Sequence, residues 1–431
     1  MTEKEQNRPK KKIAGKIITA VVMVLVVALS FVGGYFSRYL FEPSTVNTTS
    51  DLVRIIENFG YVFDDKTGEM RPLTEEDYAD ALVNGLLDDY SAYFTPEEYS
   101  VVVEKGKGNH SGIGVTFDTN SCTVLKITGN SPADIVGMRA GDKLIKGKSG
   151  QTEKVFNDAL DVIEFIESSS GSMEFTVLRN DSLVPLNFTV SRENFTASYV
   201  TYYDSATKMC YRTEQGEMKQ VAIEQEKCTL LDDKTALIRL DQFEGSAFSQ
   251  LKGALDYMKE RGRDKLIFDL RNNGGGYMDV LTDIASCFIN NDGKGGAVVA
   301  ISESKNKREE YCTDENNFYD NITKIAVLAN DNTASASECL IGAMLCYGDN
   351  FTAERLVVEK NIDGVAKTYG KGIMQSTYLL MNGGAFKLTT ARILWPDEST
   401  CIHGKGIIAT GDNAVIKGDS AIVRAQSVLN G

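Results

Sequence analysis

Leu266-Ile267-Phe268-Asp269-Leu270-Arg271-Asn272-Asn273-Gly274-Gly275-Gly276 decides the fold. Its first five residues are a short, nearly continuous apolar run, the pattern of a strand buried on both faces. The run enters a turn with three glycines, and a helix follows at 277–289. Upstream, Ala236–Leu240 reads as another strand. Phe248, Leu251, Leu255 and Met258 then form a helical stripe stopped by Gly262. Downstream come a strand at 324–329 and a helix at 335–347 stopped by Gly348. Such alternation implies a mainly parallel sheet covered by helices. Residues 196–233 and 352–366 read as insertions on it.

Towards the N-terminus the character changes. Residues 112–192 read as a small β-rich domain with two helices. Gly112-Ile113-Gly114-Val115 opens a strand and Ser131-Pro132-Ala133 starts a short helix. Phe156, Leu160, Ile163 and Glu167 mark a longer amphipathic helix. Residues 50–104 read as helices. Ile17 to Phe36 runs twenty residues without a charge, long enough at 1.5 Å per residue to cover a bilayer core of about 30 Å. The basic flank Lys4–Lys16 places that end in the cytoplasm and the remainder outside. A cleaved signal peptide is the alternative, with Ala28-Leu29-Ser30 a poor cleavage site; the length of the apolar run favours an uncleaved anchor.

The 431 residues are 42% hydrophobic and 25% charged with only 7 prolines, which excludes collagen-like and low-complexity classes. A net charge of −14 lacks the electrostatic footprint of a general nucleic-acid binder. Only two histidines occur, His110 and His403. A three-histidine zinc site is therefore impossible, HExxH is absent, and no metal or cofactor is expected. The eight cysteines include no CxxC, and Cys210 and Cys228, flanking a polar stretch, are the single candidate pair. Gly147-Lys148-Ser149 imitates the end of a phosphate loop, but the required glycine at 142 is Asp142.

Three stretches bear chemistry. The Gly274-Gly275-Gly276 turn lets backbone N–H groups approach a ligand or a developing anion, although a bare glycine run is more often only a tight turn. Thr333-Ala334-Ser335-Ala336-Ser337-Glu338 opens a helix after a strand. Its Ser335-x-x-Glu338 is an ordinary capping box, or else Ser335 is a nucleophile at the positive end of a helix, with the Ala336 N–H helping to hold an oxyanion. Lys371, between Gly370 and Gly372 and before Ile373-Met374, is either a surface lysine or one whose stem packs among apolar neighbours. Burial lowers a lysine pKa by up to several units and makes the amine a competent base.

Taken together and in this order, these stretches resemble the carboxyl-terminal processing peptidases, or tail-specific proteases, over roughly residues 50–410. Leu87-Asp88-Asp89-Tyr90-Ser91-Ala92-Tyr93-Phe94 is similar to the family's segment before its PDZ domain. Gly112-Ile113-Gly114-Val115 resembles its carboxylate-binding loop, and Ser131-Pro132-Ala133, Gly137-Met138 and Gly141-Asp142 match the PDZ elements that follow. Leu266–Gly276, Thr333–Glu338 and Gly370-Lys371-Gly372 with Gln375 match the protease core. There are departures: the serine-to-lysine gap is 36 residues, Gly274 replaces a proline, and Gly406–Thr410 lacks a Pro-Asp pair.

The resemblance implies an α/β and β-rich multidomain chain. Its parts are a basic cytoplasmic tail (1–16), a transmembrane helix (17–36), a helical segment (37–105), a PDZ domain (106–192) and a ClpP/crotonase-like α/β peptidase core (193–431). It implies a serine endopeptidase of the bacterial cell membrane, single-pass, with an extracytoplasmic catalytic part. Ser335 is then the nucleophile, Lys371 the base and Gln375 its partner, with Gly275 and Ala336 holding the oxyanion. Gly112, Ile113, Gly114 and Val115 bind the substrate C-terminus. Expected partners are proteins or peptides with free C-terminal tails and the membrane, through one N-terminal helix, but no nucleic acid; self-association is left open. The competing class is a non-catalytic PDZ scaffold or ligand-binding relative of the same fold.

Overall fold

The computed structural model describes residues 52, 53, 56 and 71–431, apart from 119–120, 180–183, 215, 222, 292–295 and 315–316. The chain divides into two units, Met1–Ala81 and Leu82–Gly431. In the first, Arg71 holds Asp77 through two hydrogen bonds of 2.7 Å. Helix α1 spans Glu75–Leu86.

In the second unit, strand β1 (Ala92–Phe94) leads into helix α2 (Pro96–Gly106). Thr95 and Glu98 form a reciprocal capping box there, and Pro96 occupies the first turn, where its missing N–H costs nothing. Strand β2 (Asn109–Gly112) enters the small domain: β3 (Val115–Phe117), β4 (Val124–Ile127), α3 (Pro132–Ile135), β5 (Asp142–Ser149), β6 (Thr152–Val155), α4 (Ala159–Ser168), β7 (Ser172–Arg179) and β8 (Leu186–Ser191). The chain leaves along β9 (Glu193–Thr196), which pairs antiparallel with β2. The domain has its own core, in which Leu144, Phe156, Phe165, Phe175 and Val177 meet. Helix α4 buries Ala159, Val162 and Phe165. The stripe read from the sequence is thus rotated: Leu160 and Ile163 are 68% and 42% exposed.

The main sheet contains β10 (Val200–Asp204), β11 (Met209–Glu214), β12 (Glu217–Val221) and β13 (Thr235–Leu240), followed by helix α5 (Ala247–Glu260) and β14 (Lys265–Asp269). Helix α6 (Met278–Ala285), β15 (Val298–Ser304), β16 (Arg308–Cys312), β17 (Lys324–Ala329), α7 (Ala336–Tyr347), β18 (Leu356–Glu359), β19 (Ile373–Leu379), β20 (Ala385–Leu394), β21 (Ala414–Val415) and α8 (Ser420–Asn430) complete the chain. The main sheet runs β12-β11-β10-β13-β14-β17-β18-β21, parallel from β13 onwards. Leu266 and Phe268 point into the core under α5, α6 and α7, whereas Ile267 joins Leu328, Val357 and the α8 residues Ile422 and Leu429 on the other face. Burial on both faces explains the nearly continuous apolar run. A second, antiparallel sheet sets β20 between β19 on one side and β1 and β15 on the other, with β16 beyond β15.

Several expectations change. The stretches read as insertions contribute strands to the main sheet itself: β10–β12 from 196–233 and β18 from 352–366. The ClpP/crotonase-like description of the core is corrected: five parallel strands are extended by an antiparallel β10–β12 meander and accompanied by a separate antiparallel sheet. The membrane anchor is corrected as well. Residues 17–36 lie outside the described residues, and among the described residues no helix is long and apolar enough to cross a membrane. The single-pass membrane placement, the signal anchor and the membrane as a partner are withdrawn with it. Cys210 and Cys228 are free thiols, both buried, with their Sγ atoms 3.9 Å apart.

Candidate active site

Strands β14 and β17 lie side by side, Asp269 opposite Leu328, so the loops that follow them leave the same edge of the sheet. The carboxyl ends of parallel strands are where such sheets gather functional groups. Hydrogen bonds weld the two loops. Ala334 N–H and Ser337 Oγ–H both donate to Asn273 O at 3.0 Å, and Thr333 Oγ–H donates to Leu270 O at 2.9 Å. Asn272 N–H donates to Asn330 Oδ1 at 3.0 Å. Because Ser337 is engaged in this weld and fully buried, Ser335 is the serine that lines the cleft.

Ser335 caps α7 with φ 57° and ψ −118°. A positive φ on a non-glycine residue stores about 1–3 kcal/mol of strain and persists only where its surroundings impose it. Here they do. The Ser335 N–H donates to Glu338 Oε2 at 3.0 Å. The same carboxylate accepts the Thr368 hydroxyl at 2.5 Å, Gly370 N–H at 2.8 Å and Lys371 N–H at 2.9 Å. Glu338 is wholly buried. Burial pushes its pKa up, against the pull of Thr368 and the three backbone donors. One carboxylate therefore joins the serine turn to the lysine loop. The lysine loop is clamped from behind: Thr368 and Ile407 exchange two hydrogen bonds, and Ala409 N–H donates to Ala366 O. That pairing is made by backbone groups and the Thr368 hydroxyl.

Ser335, Lys371 and Gln375 line one cleft of about 330 Å³, together with Met278, Cys339, Ile373, Met374 and Ile393. Burial lowers the Lys371 pKa from its ordinary value and the neighbouring Lys387 lowers it further, with Asp88 opposing. The Gln375 amide donates to Thr389 Oγ1 at 3.0 Å. Neither histidine lines the cleft. Gly112, Ile113, Gly114 and Val115 lie in the small domain, where Gly114 O accepts Thr128 N–H and Ile113 O accepts Ala133 N–H. The family model described as Peptidase family S41 matches residues 234–411, which takes in both welded loops, Ser335 and Lys371.

Residues 234–411 belong to peptidase family S41. A probable CtpA-like serine protease of Staphylococcus epidermidis (strain ATCC 12228 / FDA PCI 1200) is 27% identical over 331 residues, 76% of this chain and 58% of that protein. A probable CtpA-like serine protease of Staphylococcus aureus (strain COL) is 27% identical over 396 residues, 91% of this chain and 69% of that protein. The chain thus spans 58% of the length of the first relative and 69% of the second. Among solved structures, a photosystem II D1 C-terminal processing protease is similar with 21% identity and a TM-score of 0.47, over 80% of this chain and 83% of the other.

Two features of this S41 site escape sequence reading. Glu338 looks like a helix cap and also reaches across to the lysine loop, 30 residues away along the chain. The only sequence signal was the capping-box spacing. Gly275 lies directly behind the serine, but its N–H donates to Asn273 Oδ1 at 2.9 Å instead of standing free for an oxyanion. It has φ +98°, and a Cβ there would come 2.7 Å from Ser335 Cβ and 2.8 Å from Ala336 N. Gly275→Ala should therefore displace the serine turn, at a cost of about 1–3 kcal/mol from the backbone alone. Its kcat/KM should fall by about a hundredfold or more. Activity of Gly275→Ala within threefold of the parent would show that the close approach is unimportant.

Proposed function

We propose that this chain is a serine endopeptidase that recognises free C-terminal tails through its small PDZ domain and cleaves with a Ser335–Lys371 dyad. The observation that supports it most is the Glu338 carboxylate holding the Ser335 N–H and the Lys371 N–H at one cleft. Neutral Lys371 takes the proton of Ser335 Oγ as it attacks the scissile carbonyl, and later gives it to the leaving amine; water then hydrolyses the acyl-enzyme. The Ala336 N–H at the start of α7 holds the oxyanion. The Gly275 N–H joins it by leaving Asn273 Oδ1. Gln375, bonded to Thr389, orients the lysine wall of the cleft without adding charge.

Recognition of the tail rests on the Gly112–Val115 loop and on the uncovered Leu160 and Ile163 of α4. An extended peptide adds to a strand edge, with its carboxylate on the backbone N–H groups of the loop. Backbone donors resist side-chain mutation, so the substrate is the better thing to change. Hydrogen bonds to a charged group contribute about 1.5–3 kcal/mol, or about 10- to 150-fold in affinity. A peptide with an amidated C-terminus should therefore bind the Ser335→Ala protein at least about tenfold more weakly than the free acid. Equal binding of acid and amide by calorimetry would remove the small domain from substrate selection and leave the core cleft alone.

A further inference from the structure

Residues 88–94 come before the small domain in sequence and have no part in the reaction as described so far. Strand β1 nevertheless lies against β20, with Ala92 opposite Lys387 and Phe94 opposite Ala385. The buried Ser91 accepts Thr389 N–H at 3.2 Å, and Thr389 Oγ1 in turn accepts the Gln375 amide. Asp88 fixes the turn by accepting Ser91 N–H and Oγ–H at 3.0 and 2.8 Å. This turn presents the face of Tyr90 to the Lys371 ammonium, with Nζ 5.1 Å from the ring centroid. The Tyr90 hydroxyl donates to the Tyr369 hydroxyl at 3.1 Å, two residues before Lys371.

We infer that Tyr90 is a positioning residue for Lys371: its ring holds Nζ and closes that side of the cleft to water, making 88–94 a working wall of the peptidase site. The inference rests on the proposed role of Lys371 as base. An amine on a four-carbon stem has three rotatable donors and no fixed direction of its own. A ring face within about 6 Å supplies a direction by cation–π attraction, and its apolar area excludes water. The charged and titratable groups around Lys371 are Tyr90 and Asp88 on this turn, Lys387 on β20, Tyr369 in the lysine loop and Glu338 at the backbone. Tyr90 stays a neutral phenol, its pKa pushed up to about 12 chiefly by the bond to Tyr369.

Two variants separate holding from water exclusion, with kcat and KM measured from pH 6 to 10 on the full chain. Tyr90→Phe keeps the ring and should stay within about threefold of the parent at every pH. Tyr90→Leu keeps apolar bulk but cannot hold an ammonium; kcat should fall about 10- to 100-fold with KM little changed, part of the usual contribution of a placed base. Tyr90→Ala loses both the ring face and its bulk, so its kcat should fall at least as far as that of Tyr90→Leu. Thermal melting checks the fold of each. Parent-like kcat in a folded Tyr90→Leu overturns the inference, whatever Tyr90→Ala does. Lys371→Ala run alongside separates the two readings: residual activity there removes the base itself, whereas an inactive Lys371→Ala beside an unaffected Tyr90→Leu removes only the role of Tyr90.

Discussion

Ser335→Ala, Lys371→Ala and the double variant should all lose at least about a thousandfold in kcat/KM, and by nearly the same factor, because residues that act as a unit are not additive. Lys371→Arg should be equally inactive, since a guanidinium does not give up its proton in the working pH range. The proteins should remain folded: neither side chain is part of the core clusters, and the loops that hold them are joined through backbone and Glu338. Ser337→Ala is the matched control. It removes one hydrogen bond to Asn273 O, which keeps its bond from Ala334 N–H, so the loss is about 1 kcal/mol and cleavage should remain measurable. Substantial cleavage by Ser335→Ala or Lys371→Arg, assayed on an unstructured protein and on a tail peptide, would end the dyad assignment.

The second large effect belongs to Glu338. Glu338→Ala strands the Ser335, Gly370 and Lys371 N–H groups and the Thr368 hydroxyl in a region where the carboxylate itself sees no solvent. Each buried donor left unpaired costs about 1–3 kcal/mol, with partial relief where water enters, so a total near 3–6 kcal/mol is expected in urea unfolding. Ser335 is also released from its strained φ of 57°, and the serine turn and lysine loop lose their common anchor. A catalytic loss of a hundredfold or more should follow, since a displacement of about 1 Å has that effect on reacting groups. Glu338→Gln retains one acceptor oxygen but turns an NH₂ towards backbone donors, and should fall between the parent and Glu338→Ala in both measurements. A Glu338→Ala protein of parent-like stability and rate would mean that the two loops hold their positions independently.

Much of this was legible before any coordinate. The strands at 236–240, 266–270 and 324–329 stand out because burial on both faces demands a nearly continuous apolar run, and the helices after them because of their spacing and their glycine stops. The second sheet was invisible for the converse reason. Strands β19 and β20 are mostly half-exposed along their length and show neither unbroken runs nor strict alternation. Strand β18 lies in a stretch that reads as an insertion because four residues are too few for a period, although all four are buried. The rotated face of α4 was misread because Leu160 and Ile163 are apolar without being core, and periodicity does not distinguish a buried stripe from an uncovered one.

For the site, local pattern determined which residue types stand where: a serine opening a helix, a lysine between glycines, three glycines after a strand. Those depend on backbone conformation over a few residues, which adjacent sequence dictates. Tertiary structure alone decided that Glu338 spans from the serine turn to the lysine loop and that the Gly275 N–H is held by Asn273. It also decided that Tyr90 stands beside Lys371 and Tyr369, 279 residues from the latter along the chain. Hydrogen bonds and ring contacts are set by distance in space, and no spacing along one chain encodes the packing of two sheets that brings such residues together.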